Sequence, residues 1–176
     1  MTMWVFGYGS LLWNPGFAPL ERAVARLPGY RRGFCMRSIH HRGTVDNPGL
    51  VLALDAADDA QCVGLGLRVA PDDEARVLAD LRERELISSA YLERRLRIAL
   101  ADGRQVEALT YVVDPDHVQY CGGLPLEEQA RIIACARGGR GPNSEYLVNT
   151  THHLRELGIA DPDLDWLVAR VGQIVG

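Results

Sequence analysis

Segments with the pattern of β-strands fill the larger, N-terminal part of the 176-residue sequence, and helical patterns fill the rest. Met3–Tyr8 is rich in aromatic and β-branched residues and runs into Gly9-Ser10, which predicts a strand that ends at a glycine-containing loop. Further strands are predicted at Tyr30–Ser38, Gly49–Asp55 and Gln61–Val69, and a hairpin at Tyr91–Leu100 and Val106–Val113, with its turn at Ala101–Arg104. Strands followed by helices are typical of α+β proteins, so we expect a largely antiparallel, barrel-like sheet covered by C-terminal helices.

Proline and acidic residues mark where the helices begin. Pro71 followed by Asp72-Asp73-Glu74 has the composition of a first helical turn and predicts a helix that continues to about Glu85. After Pro125 the pattern becomes helical throughout. It predicts helices at Pro125–Ala136, Ser144–Leu157 and Pro162–Val175, with Asn143 and Asp161 as N-caps and Gly158 as a helix end.

The length and the charges exclude several classes of protein. A chain of 176 residues is expected to form one domain, residues 1–176, with a core large enough to need no metal or disulfide. The 19 basic residues are all arginines and are outnumbered by 23 acidic ones, so nucleic acid is an improbable partner. Without lysine there is neither a Schiff base nor a phosphate-binding loop that ends in Gly-Lys-Ser/Thr.

The spacing of the cysteines and histidines does not predict a metal site, and the cysteines favour a reducing compartment. Cys35, Cys62, Cys121 and Cys135 form no Cys-x-x-Cys pair and sit among apolar or strand-like neighbours, which favours reduced, buried thiols in a cytoplasmic protein. The histidine pairs, His40-His41 and His152-His153, are adjacent and therefore lack the i, i+4 spacing of helical metal ligands. No apolar run approaches the ~20 residues of a membrane span. We expect no metal, no cofactor and no membrane partner.

One glutamate stands out on the helix predicted to end near Glu85. At about 100° per residue, Leu78, Leu81 and Glu85 fall at about 0°, 300° and 340°, so Glu85 shares the apolar stripe. Glu83 falls at about 140°, on the solvated side. Glu85 is either a last-turn residue that turns outward or pairs with Arg82 or Arg84, or a functional carboxylate. An apolar setting raises the pKa of a carboxyl group and makes it a candidate general base.

Other polar residues are weaker candidates. The glycines of Gly7-Tyr8-Gly9-Ser10 would let the backbone approach a ligand closely and present N–H groups to an anion. Ser10 could be imagined as a nucleophile, but Leu12 stands where a Gly-x-Ser-x-Gly elbow needs its second glycine, so a serine hydrolase is a distant alternative. Some side chains could contact a substrate carboxylate or donate a hydroxyl, although surface or packing roles are at least as common for them: Arg37, Arg42, Tyr111 and Tyr146.

Four ordered blocks give the sequence a resemblance to the ChaC-type γ-glutamylcyclotransferases, formerly labelled cation-transport regulators. They cover nearly the whole chain: Trp4–Pro15; Gly29–Arg32 with His41–Thr44 and Pro48–Leu52; Arg84-Glu85-Leu86 followed by Tyr91; and Gly141–Leu147 with Leu154–Ile159. The resemblance implies an α+β domain with a small β-barrel. It also implies that a substrate-binding loop falls on Val5, Phe6, Gly7, Tyr8, Gly9 and Ser10, and that the acid/base glutamate falls on Glu85.

The activity implied by the resemblance is a cyclisation. The α-amine of a γ-glutamyl group attacks its own γ-carbonyl, which releases 5-oxoproline and, from glutathione, Cys-Gly. The tethered nucleophile needs orientation and a proton acceptor, which suits a chain without lysine or metal-ligand clusters. Two alternatives stay open: the same chemistry on other γ-glutamyl amino acids or amines, and a regulator that binds a γ-glutamyl metabolite without turning it over.

Overall fold

The structure, a computed structural model, describes residues 2–86 and 90–176 and contains a closed five-stranded barrel. The strands are β1 (Trp4–Gly7), β2 (Glu21–Ser38), β3 (Gly49–Arg68), β4 (Tyr91–Leu100) and β5 (Gln105–Val113). Their order around the barrel is β1-β3-β2-β4-β5. Strand β1 runs antiparallel to β3 and parallel to β5, which closes the barrel. The predicted α+β class and mostly antiparallel barrel are confirmed.

The predicted hairpin is present with its turn in the expected place. Strands β4 and β5 pair antiparallel from Tyr91↔Val113 to Ala99↔Gln105. In the turn between them, Gly103 adopts a φ of 95° and the Asp102 carboxylate accepts the Arg104 N–H at 3.0 Å. Asp and Gly therefore act here as the turn chemistry predicts.

Two predicted strand boundaries are wrong. Strand β2 begins at Glu21 rather than Tyr30 and continues through Pro28-Gly29, where Gly29 takes a φ of 84°. The segments predicted as separate strands, Gly49–Asp55 and Gln61–Val69, belong to the single strand β3. The residues between them are small or acidic, and Asp58 and Asp59 are exposed, so the strand continues with its polar side chains in solvent. Strand propensity depends on such surroundings more than on residue type.

The predicted helix between β3 and β4 is confirmed. A 3₁₀ turn at Pro71–Asp73 leads into α1 (Glu74–Glu85), which ends on the glutamate singled out above. Pro71 lies at the start of the turn, where its missing N–H costs no hydrogen bond.

The chain forms two compact units, which are described separately. The first consists of Met1–Arg32 and Ala53–Val118, and the second of Gly33–Leu52 and Gln119–Gly176. The single domain over residues 1–176 stays a prediction. The fully buried side chains of the first unit include Phe6, Leu67, Leu81, Leu109 and Tyr111, and those of the second include Met36, Leu50, Ile133 and Leu147.

The C-terminal helices of the second unit are α2 (Leu126–Cys135), α3 (Asn143–Glu156) and α4 (Pro162–Val175), with a short ladder of β6 (Arg137–Gly138) and β7 (Gly141–Pro142) before α3. The Asp161 carboxylate caps α4 by accepting the Leu164 N–H at 3.2 Å. Gly158 ends α3 at a φ of 73°, while Ile159 N–H donates back to the Leu154 carbonyl. Both predicted signals are confirmed.

The predicted N-cap at Asn143 is wrong. Asn143 is the first residue of α3, and its side chain is fully buried. Its Oδ1 accepts the Leu50 N–H and its Nδ2 donates to the Leu50 carbonyl oxygen, both at 2.8 Å. The amide therefore satisfies a backbone donor and acceptor of a distant strand instead of the start of its own helix.

The four cysteines are free, but only some are buried as expected. Cys35 and Cys62 are buried and Cys121 is half-buried, whereas Cys135 is exposed at the last residue of α2. The burial prediction is wrong for Cys135, which lies about 200° around α2 from the buried Ile133 and therefore on the opposite side of the helix. Within residues 2–86 and 90–176, no helix combines the length and the apolar character that crossing a bilayer requires.

Candidate functional site

The loop after β1 is held in place from its own strand onward. Val5 and Phe6 are fully buried in β1, which hydrogen-bonds to β3 on one side and β5 on the other. Tyr8 is 8% exposed, and its hydroxyl donates to the Tyr111 carbonyl at 3.2 Å. The chain then enters a 3₁₀ turn at Ser10–Leu12, closed by the Asn14 N–H on the Ser10 carbonyl at 2.8 Å. The predicted loop therefore lies at the end of a buried strand.

The neighbouring strand approaches this loop closely because of a glycine. A Cβ atom on Gly64 would overlap the Gly7 carbonyl oxygen and would lie 2.9 Å from Phe6 Cζ. Phe6 is fully buried and has no room to retreat. Gly64 therefore sets how near β3 comes to the point where the loop leaves β1.

Arg32, in β2, fastens the loop from another side. Its Nη1 donates to the Tyr8 carbonyl oxygen at 3.1 Å and to the Val63 carbonyl oxygen at 3.0 Å, and lies 3.6 Å from Cys62 Sγ. A guanidinium that bridges two backbone carbonyls fixes their separation. Sequence reasoning assigned Arg32 no role, because these partners are far from it along the chain.

Glu85 lies where helix periodicity placed it. Its side chain is 16% exposed, while Glu83 is exposed, as predicted. The alternative interpretation is also partly right, because Arg84 Nε lies 3.7 Å from Glu85 Oε1. The Arg82 side chain forms an ion pair with Glu93 instead of Glu85. Glu85 is thus a half-buried carboxylate with a cationic neighbour, Arg84, from its own helix.

Burial raises the pKa of the Glu85 carboxyl above its ordinary value, and the positive charge of Arg84 opposes part of that increase. A raised pKa makes the carboxylate a stronger proton acceptor and leaves more of the group in the acid form that can donate a proton. This combination is what a group that takes and then returns a proton requires.

Arg84 joins this helix end to the loop. Its Nη2 donates to Ser10 Oγ at 2.7 Å, and its Nη1 donates to the Asn14 carbonyl oxygen at 2.6 Å. The Ser10 hydroxyl therefore faces a guanidinium, which has no acceptor for a proton. This arrangement does not activate Ser10 as a nucleophile.

A second carboxylate lies near Glu85 but is arranged differently. Glu93 accepts the Tyr111 hydroxyl at 3.0 Å and pairs with Arg82 through two hydrogen bonds of 2.9 and 3.0 Å. The bond to Arg82 lowers the pKa of Glu93. Burial raises the pKa of Tyr111, and the charges of Glu93 and Glu85 add to the effect. The environments thus shift the pKa values of the two carboxyl groups in opposite directions, so Glu85 fits the predicted acid/base role better than Glu93, and that role stays a prediction.

The remaining candidates have contacts within their own unit. The Arg42 side chain is 11% exposed, donates to the Pro142 carbonyl at 3.1 Å and lies 5.8 Å from the centre of the Tyr146 ring. The Tyr146 hydroxyl accepts the Leu52 N–H at 3.2 Å. The backbone N–H of Arg37 donates to the Gln119 carbonyl. Arg42 is therefore no ordinary surface arginine, and substrate contacts of these side chains stay predictions.

Comparisons with known proteins show what this chain is similar to. The sequence model of a family described as ChaC-like protein matches residues 3–174. The glutathione-specific gamma-glutamylcyclotransferase of Escherichia coli (strain K12) is 35% identical over 173 residues, 98% of this chain and 74% of that protein. The gamma-glutamylcyclotransferase 2-3 of Arabidopsis thaliana is 34% identical over 181 residues, 99% of this chain and 91% of that protein. A crystal structure of a yeast gamma-glutamylcyclotransferase specific to glutathione shares the fold, with a TM-score of 0.88, 23% identity and 100% coverage of both chains.

Proposed function

Because the chain belongs to the ChaC-like family, we propose that it is a γ-glutamylcyclotransferase that cleaves glutathione to 5-oxoproline and Cys-Gly. The observation that carries the proposal is the half-buried Glu85, whose pKa is raised by burial and whose helix is hydrogen-bonded through Arg84 to the loop after β1. The substrate is a small molecule, and the free cysteines suit a reducing cytoplasm.

The reaction needs one group that accepts and then returns a proton. The substrate α-amine attacks the γ-carbonyl carbon, a C–N bond forms, and the C–N bond to the cysteine nitrogen breaks. An α-amine with a pKa of roughly 8 is mostly protonated at pH 7, so the proton must be removed before attack. Glu85 takes that proton and gives it to the leaving nitrogen as the C–N bond breaks. It then takes the second proton that the attacking nitrogen loses on becoming the lactam N–H and passes it to the released amine or to water, so one carboxylate serves every proton transfer.

The loop at Val5–Ser10 supplies the other requirement, which is orientation. The nucleophile and the electrophile belong to one molecule, so the enzyme must hold the rotamer in which they meet. Backbone N–H groups of the loop bind the substrate α-carboxylate and the developing oxyanion, each well-placed donor contributing on the order of 3 kcal/mol. The bonds from Arg32, Arg84 and the Tyr8 hydroxyl support this role because they immobilise the loop before substrate arrives.

The second candidate function is the same cyclisation on a different γ-glutamyl compound. The name of the Arabidopsis thaliana relative specifies a γ-glutamylcyclotransferase without naming glutathione, which supports this second candidate function. A regulator that only binds such a metabolite fits less well. A carboxylate beside the binding loop would repel an anionic ligand and weaken its binding. A protein that only binds has no use for this carboxylate, whereas an enzyme needs it to move a proton.

The test measures 5-oxoproline release from millimolar glutathione by the purified protein, with γ-Glu-Ala and γ-glutamyl-lysine assayed beside it. We expect Glu85→Gln, which keeps the shape and removes the base, to lower turnover at least ~100-fold. Glu83→Gln, an exposed glutamate on the same helix, is the matched control and should retain wild-type turnover.

Each result has a distinct meaning. Turnover confined to glutathione supports both the reaction and the substrate, whereas turnover of the other two compounds supports the reaction alone. Equal activity of Glu85→Gln and Glu83→Gln would show that Glu85 is not the base. Thermal stabilisation by glutathione without product would make the protein a binder.

A further inference from the structure

We propose that Arg84 is a positioning residue of this site: its guanidinium holds the turn at residues 10–14 against the end of α1 and places a positive charge beside Glu85. The inference rests on the proposed function and adds a residue to it. Arg84 acts through the loop and through Glu85, without touching the substrate itself.

The two Nη atoms of Arg84 form a fork, in which each donates one hydrogen bond to the turn at residues 10–14. Nη1 reaches the Asn14 carbonyl oxygen at 2.6 Å, and Nη2 reaches Ser10 Oγ at 2.7 Å. The two acceptors belong to one turn, which is closed by the Asn14 N–H on the Ser10 carbonyl. A planar guanidinium donates to both acceptors at a fixed angle, which a lysine ammonium cannot reproduce. The fork therefore fits only the turn conformation that places the two acceptors at this angle.

The same side chain also reaches the carboxylate. Arg84 Nε lies 3.7 Å from Glu85 Oε1, and the Arg84 side chain is only 25% exposed. One guanidinium thus contacts the end of the binding loop and the candidate base. Because one rigid guanidinium makes both contacts, it fixes the position of the loop relative to Glu85. Misplacement of reacting groups by ~1 Å lowers the rate of an oriented reaction by about 100-fold.

The charges around Glu85 make this contact matter for proton transfer. Arg84 is a cation beside Glu85, and the Tyr111 hydroxyl lies close enough for the Glu85 charge to act on it. Glu93, beyond Tyr111, is neutralised by Arg82. Burial drives the pKa of Glu85 upward and Arg84 restrains it. Removal of the Arg84 charge should therefore raise the pKa further and leave less carboxylate at neutral pH.

The experiment compares Arg84→Met and Arg84→Lys with wild type, using the pH profile of kcat/KM for 5-oxoproline release. Arg84→Met should move the acid limb upward by about one pH unit and raise KM roughly tenfold. Arg84→Lys keeps the positive charge but not the fork. Its acid limb should therefore stay at the wild-type pH, while its KM should rise as it does in Arg84→Met. The matched control is Arg76→Met, because Arg76 lies on the same helix with its side chain 51% exposed and pairs only weakly with Asp73 and Asp80.

A double-mutant cycle separates the fork from direct substrate contact. If Arg84 acts through the Ser10 hydroxyl, the KM effects of Ser10→Ala and Arg84→Met should fall well short of additive. Independent roles would give additive effects. Ser10→Ala alone also tests the fork if Arg84→Met does not fold.

The outcomes distinguish this inference from the proposed function. An active wild type together with an unchanged acid limb and KM in Arg84→Met would overturn the role of Arg84 and leave the cyclotransferase intact. If the wild type releases no product, the proposed function fails, and a carbon NMR titration of the Glu85 carboxyl in wild type and Arg84→Met still measures the charge effect. An unchanged titration there would overturn the inference as well.

Discussion

Replacement of Asn143 with alanine should destabilise the second unit strongly. The wild-type amide makes two 2.8 Å hydrogen bonds to the backbone of Leu50, and both residues are fully buried. Truncation leaves the Leu50 N–H and carbonyl without these partners, and each unsatisfied buried group costs about 1–3 kcal/mol. With relaxation around the site, we expect a loss of about 3 kcal/mol in the free energy of unfolding.

Urea unfolding followed by circular dichroism measures this loss. With a denaturant slope of about 2 kcal/mol/M, the midpoint should fall by roughly 1.5 M. The exposed Asn47 lies in the same unit, and Asn47→Ala should stay within about 0.5 kcal/mol of wild type. Asn143→Leu fills nearly the same volume without the hydrogen bonds and should remain as unstable as Asn143→Ala. If Asn143→Leu recovers wild-type stability, volume rather than hydrogen bonding holds this contact, and the reasoning is refuted.

Two further changes test the region around Glu85 and the loop. Because the pKa of Glu85 is raised in the folded state, its stability contribution is full below the unfolded-state pKa and is lost as the pH rises through the folded-state pKa. The difference in Tm between Glu85→Gln and wild type should therefore become more favourable to the variant from pH 4 to pH 8, and a difference independent of pH would contradict the burial of this charge. Gly64→Ala should destabilise the protein by about 1–3 kcal/mol and raise KM, because its Cβ would overlap the Gly7 carbonyl; Gly33→Ala, where the space is open, is the control for unfolding and kinetic assays alike.

The local pattern of the sequence indicated that Glu85, rather than Glu83, lies on the apolar side of the helix. A helix turns by about 100° per residue, so the positions of Leu78 and Leu81 determine which of the two glutamates faces inward. The structure agrees, with the Glu85 side chain 16% exposed and Glu83 in solvent. The end of β1 at Gly7 and the hairpin turn at Gly103 follow for the same reason, since their signals lie within a few residues.

Contacts between distant segments were outside the reach of that pattern. The two Arg84 bonds join residues 70 and 74 positions apart, and the Asn143 bonds join residues 93 positions apart. Asn143 has the residue type of an N-cap, and only its strand partner decides that it serves the backbone of Leu50 instead. The continuity of β3 through Asp58 and Asp59 likewise depends on barrel pairing rather than on the residues themselves.

The sequence by itself therefore determined the α+β class, the helices, the loop after β1 and the inward face that carries Glu85, because period and turn chemistry are local properties of a chain. The tertiary structure decided the electrostatic setting of Glu85, the fork of Arg84 and the partners of Glu93 and Asn143. Arginine and asparagine side chains can satisfy many acceptors equally well, so their partners follow from which segments the folded barrel and helices bring together.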